Sequence, residues 1–178
     1  MLTIGRTTST LLIVDFQARL MPAIEDGAAA VANTQRLLRA AQMFDVPILF
    51  TEHNATGLGP TLPNLAVHAK GRIAPKMTFD ACRNAGFLER LGVRPAVVVA
   101  GCEAHVCVLQ TVLGLIDAGR QVYLVGDAVG SRRAESRETA IRRMARHGAE
   151  VVTTEMVVFE WLGSAEDSRL RDVIALLR

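Results

Sequence analysis

The sequence predicts an α/β protein: three α/β/α layers around a doubly wound, mainly parallel sheet, in a single domain covering residues 1–178. Three observations carry this reading. The runs TLLIV (10–14), PILFT (47–51), VVVA (97–100) and QVYLV (121–125) are short, β-branched and apolar on nearly every residue, as in strands buried on both faces. They alternate with stretches of helical period along the whole chain, the pattern of a parallel sheet with helices on both sides. A chain of 178 residues, 50% of them hydrophobic, is also long enough to bury a real core, and it has no apolar run of membrane-spanning length.

Taken in order, residues 10–14 form the first strand, and Asp15 follows it directly. The stretch 27–45 carries Val31, Leu37, Leu38, Ala41 and Phe44 at helical spacing until Val46 and Pro47 break it, and 47–51 is the second strand. This βαβ unit should cross over right-handedly. Residues 52–71, rich in Gly, Pro and Thr and without period, read as a loop that walls or covers a pocket. A short strand at 72–74 and a helix at 80–91, with Phe87, Leu88 and Leu91 inward, flank Lys76. The fourth strand, 97–100, ends near Gly101; Val106, Leu109, Val112, Leu113 and Ile116 then mark a helix that Gly119 caps. After the strand 121–125, ended by residues 126–128, come a helix at 131–148, a last strand at 149–153, and two short helices at 155–162 and 167–177.

Composition removes several functions. A net charge of +2 is too small to argue for nucleic acid, and the arginines between 132 and 146 are interspersed with Glu135 and Glu138, as on a solvated helix face. Aromatic residues, at 4%, are too few for base-stacking platforms. No C-x-x-C or H-E-x-x-H occurs, and His53 and His68 are isolated, so no metal is expected. No G-x-G-x-x-G follows the first strand, and no cofactor is expected either. The N-terminus lacks the features of a secretory signal, and three cysteines make no disulfide framework. The expected setting is the cytoplasm, with reduced thiols, a small-molecule substrate and no membrane partner.

Three residue types suited to one chemistry remain. Cys107 falls in the first turn or so of its helix, where unpaired N–H groups and the helix dipole favour the thiolate, the form that attacks carbonyl carbon. A small apolar packing residue fits the same local sequence. Asp15 stands where a parallel strand delivers its C-terminal end, although a turn or cap aspartate fits as well. Lys76, close to Met77 and Phe79, either reaches out to water or places its ammonium between a carboxylate and a thiolate. In the common doubly wound strand order, the strands before Asp15 and Cys107 are neighbours at the switch point, which brings both residues to one crevice.

With those residues in hand, the chain resembles the isochorismatase-like cysteine hydrolases, a superfamily that includes nicotinamidase and N-carbamoylsarcosine amidase. LLIVDFQ is similar to its first-strand motif, APKMTF to its lysine segment and GCEAHVCVLQT to its nucleophile loop; Thr51 to Thr61 and the D-A-x-x-S-R element at Asp127 to Arg132 add to the likeness. The resemblance implies Asp15 as proton carrier, Lys76 as charge balance and Cys107 as nucleophile, with a cis bond between Cys102 and Glu103 in an oxyanion-binding loop. It implies Gln17, His53 and His105 as candidate pocket residues, and a homo-oligomer. Nicotinamidases hold a metal with a D-x-H motif where this chain has Thr51, Glu52 and His53, so that metal site and nicotinamide are in question. The implied reaction is hydrolysis of the C–N bond of a small amide, imide or carbamoyl compound through a thioester. The alternatives are isochorismatase-type vinyl-ether hydrolysis, which uses the aspartate without a cysteine, and an idle oligomeric binding protein.

Overall fold

The computed structural model describes residues 2–178. Six strands, β1 (Ser9–Val14), β2 (Ile48–His53), β3 (Ile73–Lys76), β4 (Ala96–Cys102), β5 (Gln121–Gly130) and β6 (Glu150–Val152), form one sheet in the order β3-β2-β1-β4-β5-β6. Every pair is parallel, so the sheet is wholly rather than mainly so. The order reverses direction between β1 and β4, and that is the switch point.

Alternate residues of each strand enter separate cores, which explains the unbroken apolar runs. Leu11, Ile13, Phe50, Val98 and Tyr123 pack with α1 (Gly27–Met43), α7 (Thr154–Leu162) and α8 (Leu170–Leu177) through Leu37, Leu38, Trp161 and Val173. On the other face Leu12, Val14, Leu49, Val97 and Val99 meet α4 (Phe87–Leu91), α5 (Leu109–Asp117) and α6 (Ala134–Arg146) through Phe87, Val112, Leu115 and Met144. A one-residue slip of β1 would exchange the two sets and set Asp15 on the wrong strand register.

Several boundaries differ from the sequence reading. The stretch 52–71 contains two single-turn helices, α2 (Ala55–Leu58) and α3 (Pro63–Ala66), each too short to show a period. The expected helix over 80–91 is split into a 3₁₀ turn, Ala81–Arg83, and α4, because Asn84–Gly86 interrupt it and Gly86 takes φ 76°. Strand β3 runs on to Lys76, which therefore sits in the sheet and not after it. Strand β5 continues through Gly126 to Gly130, and Asp127 caps the far helix α7: its Oδ1 accepts from the Thr154 N–H at 2.8 Å and the Thr154 hydroxyl at 3.0 Å.

Strands β1 and β4 lie close together where the site begins. Val14 is in register with Gly101, and a Cβ built on Gly101 would lie 2.5 Å from the Val14 carbonyl oxygen. Gly101→Ala should force the two strand ends apart and cost about 1–3 kcal/mol, the range for overpacking a close-packed core. Urea unfolding of the variant against the wild type measures it.

Candidate active site

Four strand ends converge at the switch point. Strand β1 stops because Asp15 adopts φ 52°, a left-handed conformation that aspartate tolerates better than most residues. Register sets Val14 beside Thr51 of β2, and His53 of β2 beside Lys76 of β3. The Asp15 carboxylate accepts from the Thr51 hydroxyl at 2.7 Å through Oδ1 and from Lys76 Nζ at 2.6 Å through Oδ2. Both charged side chains are removed from water, at 0% and 1% exposure. Lys76 donates in addition to the Thr78 carbonyl at 3.4 Å. Sealed in this way, the pair survives only as a pair; losing one partner of a buried ion pair costs about 3–5 kcal/mol.

Cys107 reaches the same place from β4. After the strand, the chain makes one wide π turn, Ala104–Val108, before α5, so the helical segment starts earlier than its apolar period suggests. The Glu103 carbonyl accepts from the N–H groups of Val106 at 3.1 Å and Val108 at 3.2 Å, which bracket Cys107. The Cys107 thiol is pushed up to about 12, first by burial and then by the Asp15 carboxylate, while Lys76 pulls it down. The sequence reading favours a thiolate at the helix start; here burial, which disfavours the charged form, is the largest influence on the thiol. The resting residue is a neutral thiol, and its nucleophilic form requires a base to take the proton. Cys82 and Cys102 are likewise raised by burial to about 12, but Lys76 acts only on Cys107.

Around this cluster the other sequence candidates divide. The Cys102–Glu103 peptide bond is cis. Gln17, fully buried, spends its amide on backbone: Oε1 accepts the His53 N–H at 2.8 Å and Nε2 donates to the Gly59 carbonyl at 2.6 Å. It pins the loop that follows β2 to the end of β1. His53 stacks on Phe79 with ring centres 5.1 Å apart, and its Nδ1 is buried without a partner among the described residues. Phe79 and Met77 are exposed and give this edge an apolar rim. His105 turns away to Ser131, Nδ1 to Oγ 3.0 Å, and lines a separate cavity of about 390 Å³ with Arg132, Arg133 and Ser136. Among the described residues, no group of three His, Cys, Asp or Glu side chains has the arrangement to hold a metal ion.

Sequence reasoning passed over Thr51 and Arg132 as site residues. Thr51 was legible only through register, which sets it beside Val14. Arg132, inside a run of arginines, binds the buried Glu103 carboxylate at 2.7 Å.

A doubly wound parallel sheet with an acid, an ammonium and a thiol gathered at its switch point defines a class of α/β proteins rather than one activity. The isochorismatase domain model matches residues 9–156, and the chain belongs to the isochorismatase family of hydrolases. It is 32% identical over 174 residues to isochorismatase domain-containing protein 2 of Homo sapiens, covering 96% of this chain and 83% of that one. Against isochorismatase domain-containing protein 1 of Salmo salar it is 32% identical over 96% of its length, but it spans only 61% of that relative. Among solved structures, the MAR1 ribonuclease of Caenorhabditis elegans superposes with TM-score 0.92 at 31% identity, covering 98% and 92% of the two chains. The YcaC gene product of Escherichia coli, described as an octameric hydrolase of unknown specificity, does so with TM-score 0.89 at 26% identity, covering 99% and 88%.

Two outcomes follow for the thiol. Its pKa is higher folded, about 12, than its ordinary 9.0, so between those values the unfolded chain releases a proton that the native state keeps; the contribution to stability is whole below pH 9 and drains away as pH rises towards 12. Iodoacetamide alkylation of Cys107, followed by peptide mass spectrometry, should therefore still be climbing at pH 10, whereas denatured protein levels off near the ordinary value. In Asp15→Asn the two upward influences of the carboxylate vanish and that of burial remains, so the same assay at pH 8 should show faster alkylation than in the wild type.

Proposed function

We propose that this chain is a cysteine hydrolase that cleaves the C–N bond of a small amide, imide or carbamoyl compound through a thioester, without a catalytic metal. The observation that carries the reading is the sealed Asp15–Lys76 pair acting from both sides on a neutral, buried Cys107 thiol. A carboxylate that only needed solvation would not be buried with a hydroxyl and an ammonium on its two oxygens and a thiol beside it.

In this mechanism the Asp15 carboxylate takes the thiol proton as Sγ attacks the substrate carbonyl, and the C=O electron pair moves to oxygen. The N–H groups of Cys107 and Glu103 meet that oxygen. Asp15 then gives its proton to the leaving nitrogen as the C–N bond breaks, and the thioester remains. Water enters, yields a proton to Asp15 and attacks the thioester; the C–S bond breaks, and the proton on Asp15 restores the thiol. Lys76 stays an ammonium throughout, opposing the negative charge that passes between carboxylate, sulfur and oxyanion.

A cytoplasmic homo-oligomer fits the reading. The Escherichia coli relative is described as octameric, and Met77 and Phe79 offer apolar surface at the rim of the site, at 72% and 47% exposure. Vinyl-ether hydrolysis is less supported, since it would leave the thiol without a role. The ribonuclease description of the worm relative has no counterpart in a sealed carboxylate–ammonium pair, which a bulky polyanion does not reach.

The test is a panel of small amides, imides and carbamoyl compounds assayed for amine or ammonia release, with intact-mass detection of an acyl adduct. With a turned-over substrate, Cys107→Ser should lower kcat/KM by at least roughly 10³-fold and the adduct should map to Cys107. Undiminished turnover by Cys107→Ser, or isochorismate cleavage independent of that residue, would overturn the reading.

A further inference from the structure

One buried charge stands outside the proton path just described. Glu103, next to the cis bond, is 5% exposed, and both its carboxylate oxygens accept from Arg132 Nε, at 2.7 and 3.1 Å. Its main chain does separate work, because the Glu103 carbonyl receives the Val106 and Val108 N–H groups that shape the turn around Cys107. Two residues on, His105 is tied through Nδ1 to the Ser131 hydroxyl at 3.0 Å. Residues 131 and 132 thus grip 103 and 105 from the β5–α6 connection. That connection is itself anchored, since the Glu25 N–H donates to the Ser131 carbonyl at 3.0 Å and the Glu25 carboxylate accepts the Ala134 N–H at 2.7 Å.

We propose that Arg132 is a positioning residue: by holding the Glu103 carboxylate it fixes the Glu103 peptide and the π turn, so that the Cys107 and Glu103 N–H groups stand in place before an oxyanion forms. The inference rests on the hydrolase reading and adds a residue to it. The asymmetry of exposure supports a directed role over a general one. Arg132 is 61% exposed and leaves no hole in the core when shortened, while the carboxylate it holds is 6% exposed and belongs to the loop carrying the nucleophile. A pair so exposed on one side adds little to stability, but its one guanidinium N–H, at Nε, is shared between both carboxylate oxygens and so holds the carboxylate in place.

Two reactions at Cys107 separate this from mere structure. p-Nitrophenyl acetate acylates the thiol through a tetrahedral oxyanion and expels p-nitrophenolate; iodoacetamide alkylates it by displacement of iodide at saturated carbon, with no oxyanion. Both adducts are located by peptide mass spectrometry, and folding is followed by circular dichroism. In Arg132→Met, and in Glu103→Gln, which keeps the shape and removes the charge, acylation should fall about 10- to 100-fold while alkylation stays within about threefold of wild type. Arg132→Lys should recover part of the acylation rate. The inference is overturned if both reactions slow together in the folded variants, or if neither changes. Wild-type Cys107 that alkylates but does not acylate would bring down the hydrolase reading, and this one with it.

Discussion

The ion pair between Asp15 and Lys76 is the interaction on which the site depends. It joins residues 61 positions apart at the ends of β1 and β3, two strands separated by β2, and it lies wholly out of water. Such a pair repays its desolvation only when geometry is good and the remaining lone pairs are satisfied. Here Thr51 from the intervening strand supplies the second contact to the carboxylate, so β1, β2 and β3 all contribute to one charge cluster. A parallel sheet is well suited to this, since it brings the carboxyl ends of all its strands to one edge.

The same burial sets the state of the Cys107 thiol. A thiol in an electropositive, open turn would ionise readily; the Cys107 thiol is instead kept protonated by desolvation and by the neighbouring carboxylate. Reactivity is then conditional, because a thiolate forms only as the proton moves to a base a side chain away.

Several features that invite a functional reading serve the scaffold. Gln17 is consumed in fastening the loop after β2, and Asp127 of β5 caps α7. His105 faces Ser131 rather than the charge pair. These contacts hold the two loops that flank the strand ends, and the site's geometry is inherited from them. Conversely, Arg132 looks in the sequence like one more solvated arginine, yet it is the cation for a buried carboxylate next to the nucleophile turn.

The sequence by itself determined the layered α/β fold and the presence of all six strands, and it put Asp15, Lys76 and Cys107 forward as candidates. It could do so because strands buried on both faces are written as continuous apolar runs, and because Asp15, Lys76 and Cys107 lie at or beyond strand ends that a parallel sheet carries to one edge. What only the tertiary structure decided depends on contacts without a local signature. The single-turn helices in 52–71, the break at Gly86, the length of β5 and the π turn at Cys107 come from packing and main-chain bonding across distant segments. So do the protonation of the thiol and the partnership of Glu103 with Arg132, since burial and the approach of remote charges are properties of the folded surroundings, which a linear pattern of residues does not carry.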